Sequence, residues 1–323
     1  MKIVVTDYAF DDLSIERDVL SPFGYHIIGN KKHESEPKLI DLVRDADYVI
    51  TQFAPINKNV IGSMTQARMI VRYGIGVDNV DLAEAASKGI PVCNVPDYCT
   101  DEVADHTVAM ILALTRKLFA NWDVIRQGEW KLAVPLSRLY AMKDLTVGIV
   151  AYGRIGREVA QRLRPFKCKI NVFDPAANPQ NLSKDGVNCV TLDELFKSSD
   201  LISLHCPSNQ QTRYMINSES IAKMKRGVML VNTSRGTLVK TNDLIRALQD
   251  GQISAAALDV TDPEPINSDN PLLGMNNVII TSHIASASEN AVIKLRKSVA
   301  EIVFLNIKEG RITNMVNRIP GLG

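Results

Sequence analysis

Three short apolar runs in the second half of the chain each end in residues able to do chemistry. Val228–Val231 leads into Asn232-Thr233-Ser234-Arg235-Gly236. Ala255–Leu258 leads into Asp259-Val260-Thr261-Asp262-Pro263-Glu264-Pro265. Val278–Ile280 leads into Thr281-Ser282-His283-Ile284-Ala285. In an open parallel sheet the carboxyl ends of the strands face the ligand crevice, so Arg235, Glu264 and His283 are expected at one edge. An imidazole titrating near neutrality suits a proton that leaves or joins an alcohol oxygen. A carboxylate on its other nitrogen fixes the tautomer and stabilises the imidazolium. A planar guanidinium can grip a carboxylate at two points, which a lysine cannot. Taken singly, each residue has a plain structural explanation. Their order behind the next motif is what makes them a set.

That motif is Val147-Gly148-Ile149-Val150-Ala151-Tyr152-Gly153-Arg154-Ile155-Gly156, an apolar strand running into a glycine turn and a helix. A second apolar run, Lys169 to Phe173, ends at Asp174, 18 positions beyond Gly156. Strand, turn, helix and acid at that spacing form a dinucleotide site. Backbone N–H groups approach the pyrophosphate, the helix N-terminus favours its charge, and the carboxylate accepts from the ribose hydroxyls. Ala151 stands where the pattern has its first glycine; it is tolerable at negative φ and destabilising at positive φ. Pro175, Ala176 and Ala177 follow Asp174 with no arginine for a 2′-phosphate, so the expected cofactor is NAD. With it, Arg235, Glu264 and His283 suit hydride exchange with a 2-hydroxy acid and its 2-oxo partner. No His/Cys/Asp cluster has metal-ligand spacing, and no metal is expected.

The elements that must position these groups read as alternating strands and helices, hence α/β units with parallel sheets. In the first part, strands are expected at Lys2–Thr6, Tyr25–Ile28, Tyr48–Thr51, Met69–Arg72 and Pro91–Cys93, with helical spacing at Asp11–Leu20, Pro37–Arg44 and Leu82–Lys88. One long helix from Asp101 to about Gln127, acidic at its start and apolar on nearly every face, suggests burial on more than one side or a subunit interface. The second unit starts at Leu145, with further strands at Leu201–His205, Val228–Asn232, Ala255–Leu258 and Val278–Thr281. A closing helix over Ala291–Ile307 is expected to return to the first domain. The domains are therefore 1–98 plus 290–323, and 99–289.

At 323 residues the chain can hold two cores, and 46% apolar with 23% charged residues is ordinary for a folded protein. A formal charge of +1 leaves no electrostatic footprint for nucleic acid or an acidic membrane. Lys31-Lys32 and the group Arg162, Arg164, Lys167 and Lys169 read as solvated faces. Five cysteines without a C-x-x-C pair suggest free thiols in a reducing compartment. The opening strand Ile3-Val4-Val5 suggests no signal peptide, and no apolar run reaches membrane-spanning length; a cytoplasmic location is expected.

Together with Val71-Arg72-Tyr73-Gly74-Ile75-Gly76-Val77-Asp78-Asn79-Val80-Asp81, His205-Cys206-Pro207, Ala257–Val260 and Pro263-Glu264-Pro265, these segments make the chain resemble the D-isomer-specific 2-hydroxyacid dehydrogenases over nearly its whole length. The resemblance implies two Rossmann-like, doubly wound domains with a cleft between them, NAD in the second, and a homodimer built around the helix near 101–120. It implies Arg235, Glu264 and His283 as the catalytic set. The implied cofactor contacts are Thr100, Tyr152, Gly153, Arg154, Ile155, Asp174, Cys206, Pro207, Thr212, Thr233, Ser234, Arg235, Asp259 and His283. The implied substrate contacts are Arg72, Tyr73, Gly74, Ile75 and Gly76, where two glycines expose N–H groups to a carboxylate. Asp78 and Asn79 read as braces of that loop.

Within the family the chain is most similar to the C-terminal-binding-protein branch, on Ile70-Val71-Arg72, Val92-Cys93-Asn94-Val95-Pro96, Gly310-Arg311-Ile312 and Val316-Asn317. The corepressors of that branch carry a tryptophan three residues after the histidine, where this chain has Ser286. Phosphoglycerate dehydrogenases place an arginine near Thr51-Gln52. The resemblance thus implies an NAD-dependent dehydrogenase acting on a small D-2-hydroxy acid. The alternatives are an NAD(H)-sensing binding protein or a 3-phosphoglycerate dehydrogenase.

Overall fold

The computed structural model describes residues 1–32 and 34–321. The chain divides into two compact units, Met1–Tyr98 with Ser288–Gly323, and Cys99–Ala287.

In the first unit five parallel strands run in the order β2-β1-β3-β4-β5: β1 Lys2–Val5, β2 His26–Gly29, β3 Tyr48–Thr51, β4 Met69–Arg72 and β5 Val92–Cys93. The three inner strands are buried on both faces, which is why they read as continuous apolar runs rather than as alternation. One face packs Ile3, Val5, Tyr48 and Ile50 against Leu295, Val299 and Val303 of the helix Glu289–Glu309. The other packs Val4, Val49 and Ile70 against Leu39, Val60 and Ala85. The returning helix starts where Ser288 Oγ accepts from the Ala291 N–H at 3.0 Å, and it ends at Gly310 with φ 67°.

The second unit has seven parallel strands in the order β12-β11-β10-β9-β6-β7-β8. They are β6 Thr146–Val150, β7 Lys169–Phe173, β8 Asn188–Cys189, β9 Leu201–Leu204, β10 Val228–Asn232, β11 Ile253–Leu258 and β12 Val278–Ile280. Strand order reverses between β6 and β9, the place where an open α/β sheet leaves a crevice at its carboxyl edge. β8, two exposed residues long, carries no apolar run and escaped the sequence reading.

Two expectations are corrected. The helix foreseen from Asp101 to Gln127 is two helices, Thr100–Arg116 and Leu118–Arg126. Lys117 breaks them in the left-handed region (φ 53°), its N–H reaching back to Ala113 O and Leu114 O. Only the first helix buries side chains, and the second buries none. A lysine C-cap carries no glycine signal, so periodicity ran straight through it. Nor is Arg162 merely solvated. Its guanidinium bonds Asp101, Asp105 and Glu158, tying the helix Thr100–Arg116 to the helix Arg154–Leu163.

Candidate active site

β10, β11 and β12 lie side by side, so the loops that follow them emerge together at one edge of the sheet. His283 Nδ1 and Glu264 Oε1 are 2.5 Å apart. Burial pushes the Glu264 carboxyl up, but the hydrogen bond and charge of His283, with smaller help from the Thr261 backbone and the charge of Arg235, hold it below its ordinary value. The group therefore stays ionised and acts as an acceptor. With Nδ1 held, Nε2 of His283 has no hydrogen-bond partner among the described residues, and the side chain is 39% exposed. This is the arrangement a proton-transfer histidine needs.

Asp259 explains how the histidine is presented. Its side chain is wholly buried and accepts from Thr281 Oγ1 (2.5 Å), the Ile284 N–H (2.9 Å) and the Ala285 N–H (2.9 Å). The Asp259 carbonyl takes the His283 N–H at 2.8 Å. Four bonds thus hold a loop in which His283 has φ 56°, a conformation a non-glycine residue keeps only when its surroundings over-determine it. Thr281 Oγ1 also meets His106 Nε2 at 3.1 Å.

Arg235 is set by Asn232, whose amide donates to Arg235 O (2.8 Å) and accepts from the Ser234 N–H (3.1 Å). Its Nη1 donates to Ser234 O at 2.7 Å. A Cβ on Gly236 would lie 1.9 Å from Thr261 O, so only glycine lets the arginine loop approach the glutamate loop.

The dinucleotide turn lies at the end of β6. Nothing comes within 4 Å of where a Cβ on Gly153 would stand, leaving the helix N-terminus open to a phosphate. A Cβ on Gly156 would lie 2.2 Å from Ala151 O, so helix and strand meet there only through glycine. Ala151 has φ 73°, the unfavourable sign for alanine. Asp174 follows β7 beside the turn, accepting from the Tyr152 N–H (2.7 Å) and the Ala176 N–H (2.8 Å). These groups fit NAD: open amides for the pyrophosphate and a carboxylate for the ribose hydroxyls. Bound there, NADH supplies the hydride.

The other expected cofactor contacts divide. Arg154 and Pro207 are exposed, and Thr100, Ile155, Thr212 and Ser234 are partly so. Tyr152, Cys206, Thr233 and Asp259 are buried. Tyr152 bonds Asp185, Thr233 bonds Thr107 and Asp259 holds its loop, so these three reach a ligand only through backbone. Thr281, His106 and Asn232 were missed as supports because each is an ordinary polar residue until its partner is known.

In the first unit the loop Tyr73–Gly76 ends β4. The Tyr73 N–H donates to Thr51 O and the Gly74 N–H to Arg72 O, whereas those of Ile75 and Gly76 donate to nothing among the described residues. Asn94 Nδ2 holds Ile75 O at 2.6 Å, and Asn79 Nδ2 braces Ala54 O at 2.9 Å. A Cβ on Gly74 would lie 1.6 Å from Arg72 Nη1, which places that guanidinium against the loop. The side chain of Tyr73 is buried away from it.

Residues 108–285 match the family model described as D-isomer specific 2-hydroxyacid dehydrogenase, NAD binding domain. The chain is 37% identical over 294 residues to a glyoxylate reductase of Korarchaeum cryptofilum, covering 89% of this chain and 88% of that one. It is 35% identical to a hydroxypyruvate reductase of Blautia hydrogenotrophica, over 98% of this chain and 100% of the other. Among solved structures, a D-lactate dehydrogenase from Aquifex aeolicus complexed with NAD and lactic acid is similar with a TM-score of 0.85 and 30% identity, over 95% of this chain and 96% of that one. These relatives do not single out the C-terminal-binding-protein branch. With a charged Glu264 on His283, an arginine loop beside them and an NAD turn on the same sheet, the chain belongs to the D-isomer-specific 2-hydroxyacid dehydrogenases.

Proposed function

We propose that the protein reduces a short 2-oxo acid of the glyoxylate or hydroxypyruvate kind to its 2-hydroxy acid with NADH, of D configuration where the new alcohol carbon is a stereocentre. The observation that carries this reading is the His283–Glu264 pair at 2.5 Å beside the Arg235 loop. Protonated His283 donates from Nε2 to the oxygen that becomes the alcohol, and Glu264 stabilises the imidazolium before transfer. Arg235 grips the substrate's carboxylate and polarises its keto oxygen through the same planar fork. In the first unit the N–H groups of Ile75 and Gly76 are offered to a carboxylate, with the Arg72 guanidinium against the same loop. Names of relatives at this similarity support the two- and three-carbon acids.

The test is loss of NADH absorbance with glyoxylate, hydroxypyruvate, pyruvate and longer 2-oxo acids. Turnover that favours the short acids supports the reading. NADH-dependent association with another protein, and no turnover with any acid, would point to a sensor instead.

A homodimer forms part of the proposal. Leu118, Phe119, Trp122, Leu132 and Leu136 are more than half exposed and Trp130 is 93% exposed, on the segment that continues the helix Thr100–Arg116. Apolar side chains crowded on one segment suit a subunit contact. Trp122→Glu should shift the sedimentation coefficient from dimer to monomer. The cytoplasm suits the five free cysteines, and retention of activity only under reducing conditions would support that placement.

A further inference from the structure

Tyr73 opens the glycine loop, yet its ring turns into the core and is 1% exposed. Its hydroxyl donates to Glu16 Oε1 at 3.0 Å. Glu16, on the helix Ser14–Leu20, has no exposed side-chain surface. Arg296, on the returning helix, occupies the rest of that carboxylate, with Nε at 3.0 Å from Oε1 and Nη2 at 2.7 Å from Oε2. The same Nη2 donates to Asp12 O at 2.8 Å. The guanidinium lies 5.0 Å over the ring of Phe10, and Phe10 meets Tyr73 edge-on with centroids 5.2 Å apart. Burial, with the Glu16 charge adding to it, pushes the Tyr73 phenol well above its usual range, so it remains a donor.

An ion pair buried this deeply adds little stability over an apolar cluster of equal volume. What it adds is one orientation. On its acceptor side the loop is already held, with the Val95 N–H on Gly74 O (3.0 Å) and Asn94 on Ile75 O. Gly74, at φ 145°, is the joint between Tyr73 and the two peptide groups, held at Gly74 O and Ile75 O, whose N–H groups are unpaired among the described residues. The Tyr73 side chain is the anchor immediately before that joint.

We propose that Glu16 and Arg296, acting through the Tyr73 hydroxyl, are positioning residues for substrate: they orient the N–H groups of Ile75 and Gly76 toward a carboxylate. The proposal rests on the reading of residues 74–76 as the substrate's carboxylate cradle. It gives the return of the chain's last helix to the first unit a role in substrate binding.

The test uses the full chain with saturating NADH. Tyr73→Phe keeps the ring and its contact with Phe10 and removes only the O–H, leaving Glu16 satisfied by Arg296. Arg296→Lys removes the two-point grip on Glu16. Each should raise KM for the 2-oxo acid roughly tenfold, because a small misplacement of a positioning group is costly. kcat should change far less than KM, and the Kd for NADH should stay near its parent value. A lower melting temperature with KM unchanged in Tyr73→Phe would mean a merely structural role and would overturn the proposal. Should Arg296→Lys fail to fold, Tyr73→Phe decides alone. Gly74→Ala, whose Cβ would strike Arg72, separates the two layers of the argument. If Gly74→Ala leaves KM unchanged, the cradle reading falls and this proposal with it. If Gly74→Ala raises KM while Tyr73→Phe does not, only the positioning role is lost.

Discussion

Replacing Asp259 by asparagine isolates the device that presents His283. The carboxylate serves three donors, Thr281 Oγ1 and the Ile284 N–H on Oδ1 and the Ala285 N–H on Oδ2. An asparagine can place its oxygen toward the first two, but its NH2 then faces the Ala285 N–H, donor against donor. Turned the other way, it loses two bonds. The smaller loss is one hydrogen bond to a charged acceptor together with one buried N–H left unpaired, about 2–4 kcal/mol. Loosening the clamp also lets His283 relax from φ 56°, a conformation that itself stores about 1–3 kcal/mol. At about 1.4 kcal/mol per decade, full expression of the clamp's loss would lower turnover roughly 30- to 1000-fold. Part of this is hidden if the loop was closed in large excess, so a fall of at least about tenfold in kcat is expected for Asp259→Asn. Because the side chain is buried and committed to the loop, NADH affinity should stay close to the parent value. Steady-state kinetics with glyoxylate, NADH fluorescence titration and hydrogen exchange at Ile284 and Ala285 read the three quantities. A kcat within twofold of the parent, with exchange at those amides unchanged, would refute the argument.

Four further outcomes follow from the same geometry. His283→Ala should lower turnover by about 10²–10⁴ with NADH binding nearly intact, since it removes proton transfer alone; turnover like the parent's would take His283 out of the reaction. Asp174→Ala should erode discrimination between NAD and NADP, checked by the ratio of kcat/KM for the two cofactors. Ala151→Gly should stabilise the fold by about 1 kcal/mol, because alanine at φ 73° carries a penalty that glycine does not, and a melting temperature no higher than the parent's would contradict this. His205 carries a pH prediction. Its Nδ1 is buried without a hydrogen-bond partner among the described residues, and burial lowers its pKa from 6.5 to about 4. A neutral histidine held this way contributes stability that is complete above the unfolded value and lost as pH falls from about 6.5 through about 4. The drop should be about 3 kcal/mol, at 1.4 kcal/mol per pH unit. Denaturant midpoints measured across that window should fall less steeply in His205→Asn, and an identical slope would exclude the mechanism.

Sequence alone determined what depends on local period and spacing. The buried strands of both sheets read as apolar runs because parallel strands covered on both faces must be apolar throughout. The turn at Gly153 and Gly156 and the acid at Asp174 were legible because strand, turn and helix lie within one βαβ unit. Arg235, Glu264 and His283 could be named because each lies in the loop that follows such a strand. Tertiary structure decided everything that hangs on a distant partner or on the sign of a dihedral angle. The break at Lys117 and the positive φ of Ala151 are conformations whose residue types give no warning. Asp259 became the clamp of the histidine loop only when β11 and β12 paired and set Ile284 and Ala285 over its carboxylate. Glu16 and Arg296, 280 residues apart in the chain, meet only when the returning helix packs on the first sheet. Hydrogen bonds and ion pairs act over a few ångströms of space, and a one-dimensional pattern records only how far apart residues lie along the backbone.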